Sequence, residues 1–165
     1  MTTRPGIGSI TPSSNRIVER TLAGTLRFLP GIDSCVARIT YYGNGIGQPK
    51  DSYDLAAYRH AAWTLGHAGV GVVCWNGTRG AGFGLDADRA LAAVMETAAG
   101  CPATTTSLAA VRLLDAMGAQ RIGIVTPGDT AYAAQAAHGL GRELVAVRSL
   151  GLLNNNEAAA VPVAR

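Results

Sequence analysis

Lysine is nearly missing from this chain. Lys50 is the only one among 14 basic residues, and the others are arginines. Charged residues of all kinds make up 15% of the 165 positions, with no Lys/Arg run, so the net charge of +3 is dispersed. Nucleic-acid binding needs a clustered basic patch, and none is expected as a partner here. Arginine presents a planar fork that suits carboxylates. Cysteine is sparse and badly spaced for metal: Cys35, Cys74 and Cys101 form no CxxC pair and no Cys/His ligand set, which argues against zinc and against a disulfide framework. No apolar run approaches the ~18 residues a membrane span requires. The opening MTTRPGIGSITPSSN lacks the charged and apolar regions of a signal peptide. A cytoplasmic protein with reduced thiols is the expectation. Nucleotide motifs are missing too. There is no GxxxxGK[ST], and the segment GAGFGL (80–85) has Leu85 where a dinucleotide loop needs its third glycine.

What is present is apolar and rhythmic. Hydrophobic residues make up 48% of the chain, enough for a packed core in one domain of ordinary size. Strand-like runs at 6–11, 34–42, 70–75, 102–106, 121–127 and 143–152 alternate with helical patterns. The first helix spans RIVERTLAGTLRFL, with Ser13 or Ser14 as its N-cap. Further helices are expected over 54–69, 86–100, 107–119 and 131–141. Repeated β–α–β units predict an α/β fold, a parallel sheet with helices on both faces. The Asn- and Ala-rich end from residue 154 reads, on composition, as a frayed tail.

In such sheets ligands sit beyond the carboxyl ends of the strands. Three loops there are rich in hydroxyls, amides or glycines: TPSSN (11–15), WNGTRGAGFG (75–84) and TPGDT (126–130). They form an anion site, or they only make turns and caps. Cys74 and Cys35 lie inside strands, where a cysteine is more often a packing residue than a nucleophile. Cys101 has no evident base beside it. His60 and His67 share a helix face, His138 stands alone, and no Ser/His/Asp order is legible.

The segments IGSITPSSNRIVER, VVCWNGTRGAGFG, CPATTTSLAAVRLLDAMGAQRIGIVTP and RSLGLLNNNEAAAVPV occur in that order. Together they resemble the maleate cis-trans isomerase and arylmalonate decarboxylase branch of the Asp/Glu racemase superfamily. The resemblance implies two pseudo-symmetric α/β halves, here 1–119 and 120–165, with the site between them and no cofactor or metal. It implies action on a small mono- or dicarboxylate through an enediolate or thiol-adduct intermediate. In the family's isomerases a cysteine from each half flanks the substrate, and in its decarboxylase only the second-half cysteine remains.

By the WNGT pattern, Gly77 stands where isomerases carry the first cysteine, Thr78 keeps a carboxylate-binding hydroxyl, and Arg79 replaces a small hydroxyl residue. The other alignment sets Cys74 in the thiol position. Ser14 and Asn15 match the carboxylate-binding loop, and Asn155 matches a second carboxylate-binding asparagine. Gly128 stands where the family has a tyrosine, and Tyr132, four residues on, is expected to face elsewhere. The family continues beyond the position of Arg165 and carries its proton-delivering cysteine there, so the resemblance implies a truncated second half. The alternatives are then a catalytically dead fragment or a carboxylate-binding module. The partners implied are a second copy of the chain or a complementing second-half chain.

Overall fold

The computed structural model describes residues 4–41, 49, 52–152 and 155–161. Its first sheet is four-stranded in the order β2-β1-β3-β4, where β1 is Gly6–Pro12, β2 Asp33–Ile39, β3 Val72–Trp75 and β4 Ala103–Thr105. Every pair is parallel, with Ile10 opposite both Ala37 and Trp75, and Trp75 opposite Thr105. The chain leaves β1 toward β2 on one side, then returns to lay β3 on the other. The topological switch point therefore lies between β1 and β3, where such sheets open a crevice at their carboxyl ends.

The helices follow from sequence periodicity. α2 (Leu55–His67) buries Tyr58, Ala61, Ala62 and Leu65. α4 (Leu85–Ala99) buries Asp88, Leu91, Ala92 and Met95. Both show the i, i+3, i+4, i+7 stripe of a helix with one face on a sheet. Together with Ile10, Val73 and Trp75 they form the core. The two helices cross so closely that a Cβ at Gly66 would strike the Ala99 carbonyl. α4 ends at Gly100, whose φ of 70° is the left-handed cap geometry expected of glycine.

α1 (Ile17–Leu26) starts later than its sequence signals predict. Neither Ser13 nor Ser14 caps it. Both hydroxyls donate to the Tyr41 carbonyl instead, and Asn15 Oδ1 accepts from the Ile17 amide at 2.9 Å. A turn closed by Asn15 N to Pro12 O (2.9 Å) swings the serines toward β2. The glycine loop also holds one helical turn, α3 (Gly80–Phe83).

β5 (Arg121–Thr126) and β6 (Glu143–Ser149) form a separate parallel pair. α5 (Thr106–Ala116) precedes them and α6 (Thr130–Gly139) connects them. α6 buries Ala133, Ala136 and Ala137 against the pair, while Val125 is 69% exposed and Val145 46%. The expected frayed tail is instead α7 (Asn155–Ala160), tied to α1 by an Arg20 donation to the Ala159 carbonyl.

Candidate functional site

The loops after β1 and β3 flank the switch point and share one neighbour, Tyr41. Its backbone N–H donates to Ser13 Oγ, and its carbonyl accepts from Ser13 and Ser14. Its ring lies under the Arg79 guanidinium, with Arg79 Cζ 5.7 Å from the ring centroid. Arg38 of β2 adds a third tie, donating to the Ser13 carbonyl at 2.8 Å and to both Glu19 carboxylate oxygens. Loop 13–15 is thus held from below by side chains of β2 and α1. Asn15 spends its Oδ1 on the helix start, and the N–H₂ end of its amide remains a donor.

After β3 the chain runs over a buried aromatic row. Trp75 packs edge-on to Tyr58 (4.9 Å between centroids), Tyr58 edge-on to Tyr53 (5.3 Å), and Tyr41 tilts against Trp75 (5.9 Å). The indole edge of Trp75 fills the space beside Gly77, and a Cβ there would lie 2.8 Å from Trp75 Nε1 and closer still to the ring carbons. Glycine at 77 is therefore required by packing. Burial raises the pKa of Tyr53 and of Tyr58 well above that of free tyrosine. Burial also raises the pKa of Tyr41, with Arg79 opposing the rise.

One buried carboxylate organises the next turn. Asp88 is wholly buried and accepts from Tyr53 Oη at 2.6 Å and Thr105 Oγ1 at 2.5 Å. Thr105 in turn caps α5 by accepting from the Leu108 amide. The carboxylate lies where a side chain at Gly80 would project. Asp88 thus joins the glycine loop, the β4–α5 junction and the approach to α2. Asp88 is one of two acids in the first turn of α4, and its only sequence signal is its place on the stripe that otherwise holds apolar residues.

Thr78 is the exposed hydroxyl of this loop, and it is not isolated. Tyr132, in the first turn of α6, donates to Thr78 Oγ1 at 3.0 Å and approaches the Thr78 carbonyl at 3.3 Å. This corrects the expectation that Tyr132 faces elsewhere. α6 docks on the glycine loop instead of only covering its own sheet, and this long-range packing has no local sequence signal.

The thiols do not gather here. Cys74 points from β3 with its Sγ 3.6 Å from the Trp75 carbonyl, and burial pushes the thiol up to about 11. Cys101 precedes β4, at the opposite end of the sheet from the crevice, and its thiol is also raised, by burial and then by Glu96. Asn155 opens α7, but its side chain lies outside the described residues. Among the described residues no group of His, Cys, Asp and Glu could hold a metal, and no helix is long and apolar enough to cross a membrane.

The family model for arylmalonate decarboxylase matches residues 43–163. The chain belongs to the arylmalonate decarboxylase family. Unliganded arylmalonate decarboxylase is 25% identical with a TM-score of 0.73, covering 96% of this chain and 66% of that one. Nocardia farcinica maleate cis-trans isomerase with a covalently bound succinylcysteine intermediate is 22% identical, with a TM-score of 0.76, covering 96% of this chain and 68% of that one. Maleate isomerase from Pseudomonas putida S16 with maleate is 21% identical, with a TM-score of 0.73, covering 93% and 66% respectively. These isomerases share the fold of this member of the decarboxylase family. The chain spans 66% of the length of the solved decarboxylase. No curated protein matches it in sequence.

Proposed function

We propose that this chain supplies the carboxylate-holding face of a site for small malonate- or maleate-like carboxylates, working without cofactor or metal. The observation that carries the reading is Tyr41, which bonds Ser13 and Ser14 of one loop and lies under Arg79 of the other, and so touches both loops at the switch point. Donors fixed in advance stabilise an enediolate left by loss of CO₂, because they need not reorganise as charge develops. The Thr78 hydroxyl and Asn15 amide serve as those donors. Arg79 adds a guanidinium with the geometry to clamp a carboxylate. Asn155 is proposed as a further donor at the start of α7.

Protonation of the enediolate needs an acid near neutrality, and Cys74 does not fit that role. Cys74 lies within β3, and a thiol pushed up to about 11 by burial is a poor acid near neutrality. Gly77 is filled over by Trp75. We therefore assign the proton donor to a thiol brought by another segment or chain, a second copy or a complementing second half. The exposed apolar side of β5–β6 supports such a docking.

Titration of the purified chain with malonate and maleate tests the reading, alongside assays of phenylmalonate decarboxylation and maleate isomerisation. The expected result is saturable carboxylate binding without turnover by the chain alone. Thr78→Ala should weaken binding by about tenfold, the worth of one hydrogen bond to a charged group, and Cys74→Ala should leave it unchanged. Loss of binding or turnover with Cys74→Ala overturns the assignment of Gly77 and Thr78. Absence of carboxylate binding overturns the function.

A further inference from the structure

We infer that Tyr132 is a positioning residue for Thr78, and that α6 sets the geometry of the glycine loop. The inference rests on the reading of Thr78 as a carboxylate donor and goes beyond it by naming what aims that donor.

Three residues of α6 at spacing i, i+3 and i+7 meet the loop. The Tyr132 hydroxyl donates to Thr78 Oγ1 at 3.0 Å, and the Gln135 amide donates to the Gly82 carbonyl at 3.0 Å. Gly139 lies so close to Ala81 that a Cβ would run into its carbonyl oxygen. Such spacing puts all three on one helical face, which lies along residues 78–82.

The start of that helix is itself pinned. Asp129 Oδ1 accepts from the Tyr132 amide at 2.8 Å, Thr126 Oγ1 accepts from the Gly128 amide at 3.1 Å, and Ser149 Oγ donates to the Gly128 carbonyl at 2.6 Å. A Cβ at Gly128 would meet Thr126 Oγ1 at 3.6 Å and the Cβ of Tyr132 at 3.9 Å. From this pinned start the Tyr132 hydroxyl is directed at Thr78.

A phenol has one proton to give. Donated to Thr78 Oγ1, it occupies one lone pair of the threonine hydroxyl and leaves that hydroxyl's own proton free to donate outward. It also polarises that O–H, since hydrogen bonds in a chain strengthen one another. Without Tyr132 the Thr78 hydroxyl is an exposed rotor that must be ordered by the ligand.

The test is a double-mutant cycle on the full chain, with malonate affinity read by calorimetric titration and melting temperature read in parallel. Tyr132→Phe removes only the hydroxyl and should weaken malonate by about fivefold, within the range for one neutral hydrogen bond, with melting unchanged. Thr78→Val should weaken it by about tenfold. The double variant should bind no more weakly than Thr78→Val alone, because Tyr132 acts only through Thr78. Thr78→Ser, which keeps the hydroxyl, should restore sensitivity to Tyr132→Phe. Gln135→Ala, which removes the helix's hydrogen bond to the Gly82 carbonyl without touching the Thr78 hydroxyl, should not reproduce the Tyr132→Phe loss. Losses that add in the double variant, or a Tyr132→Phe protein that binds like the parent, overturn the inference while the parent's binding still stands. A parent chain that binds no malonate overturns the carboxylate reading itself, and this inference with it.

Discussion

Asp88 shows how one residue can matter through what it holds. It is a carboxylate without solvent exposure, and its neighbours are two hydroxyl donors and the Cβ-free edge of Gly80. Replacement by alanine removes the acceptor that both the Tyr53 and Thr105 hydroxyls use in the core. Asp88→Ala should therefore lose about 3 kcal/mol of stability, the cost of removing two buried hydrogen bonds to a charged group. Urea unfolding measures it, and a loss below about 1 kcal/mol would mean that the network is not held as described. Gly77 makes a related point. Its identity matches a decarboxylase-type site by resemblance, yet the structure gives a local reason for it, since the Trp75 indole fills the volume a side chain would need.

At the scale of elements, α6 is the least obvious part of the sequence and does the most to join its parts. Its pattern, TAYAAQAAHG, carries a weak apolar stripe of alanines. Small residues permit close approach, and α6 approaches both its own sheet and α3. Gly139→Ala should separate α6 from the glycine loop because its new methyl meets a backbone carbonyl that cannot rotate away. The expected cost is about 1–3 kcal/mol, as for overpacking in a filled core. A Gly139→Ala protein that melts like the parent would show that this contact is looser than the geometry implies. Helix starts show the limit of local signals in another way. Ser13 and Ser14 have good capping chemistry, but a better set of partners on the Tyr41 backbone draws them across to β2.

The whole molecule pairs a well-covered first sheet with a thinly covered second one. Ile10, Val73 and Trp75 are fully buried between the first sheet and its helices, whereas Val125, Val145 and Val147 of the second remain exposed. Global stability should reflect the aromatic row of the first part. Tyr41, Tyr53 and Tyr58 all have pKa values raised by burial. The unfolded chain releases these protons near pH 10 while the folded chain retains them. The stabilisation is therefore complete below about pH 10 and declines as pH rises above it. Melting temperature should stay level from neutral pH to about pH 9 and then fall steeply. A melting temperature that stays level well above about pH 10 would contradict the buried row. The alternation of strands and helices, the parallel sheet and the three candidate loops were all legible in the amino-acid order, because periodicity and turn chemistry act between near neighbours. Which loops meet was not legible. Only packing brings Tyr132 to Thr78, stacks Arg79 over Tyr41, closes Asp88 beneath Gly80 and leaves Cys74 with a raised pKa. Those contacts join residues far apart in the chain, and their energies depend on burial that no local stretch of sequence encodes.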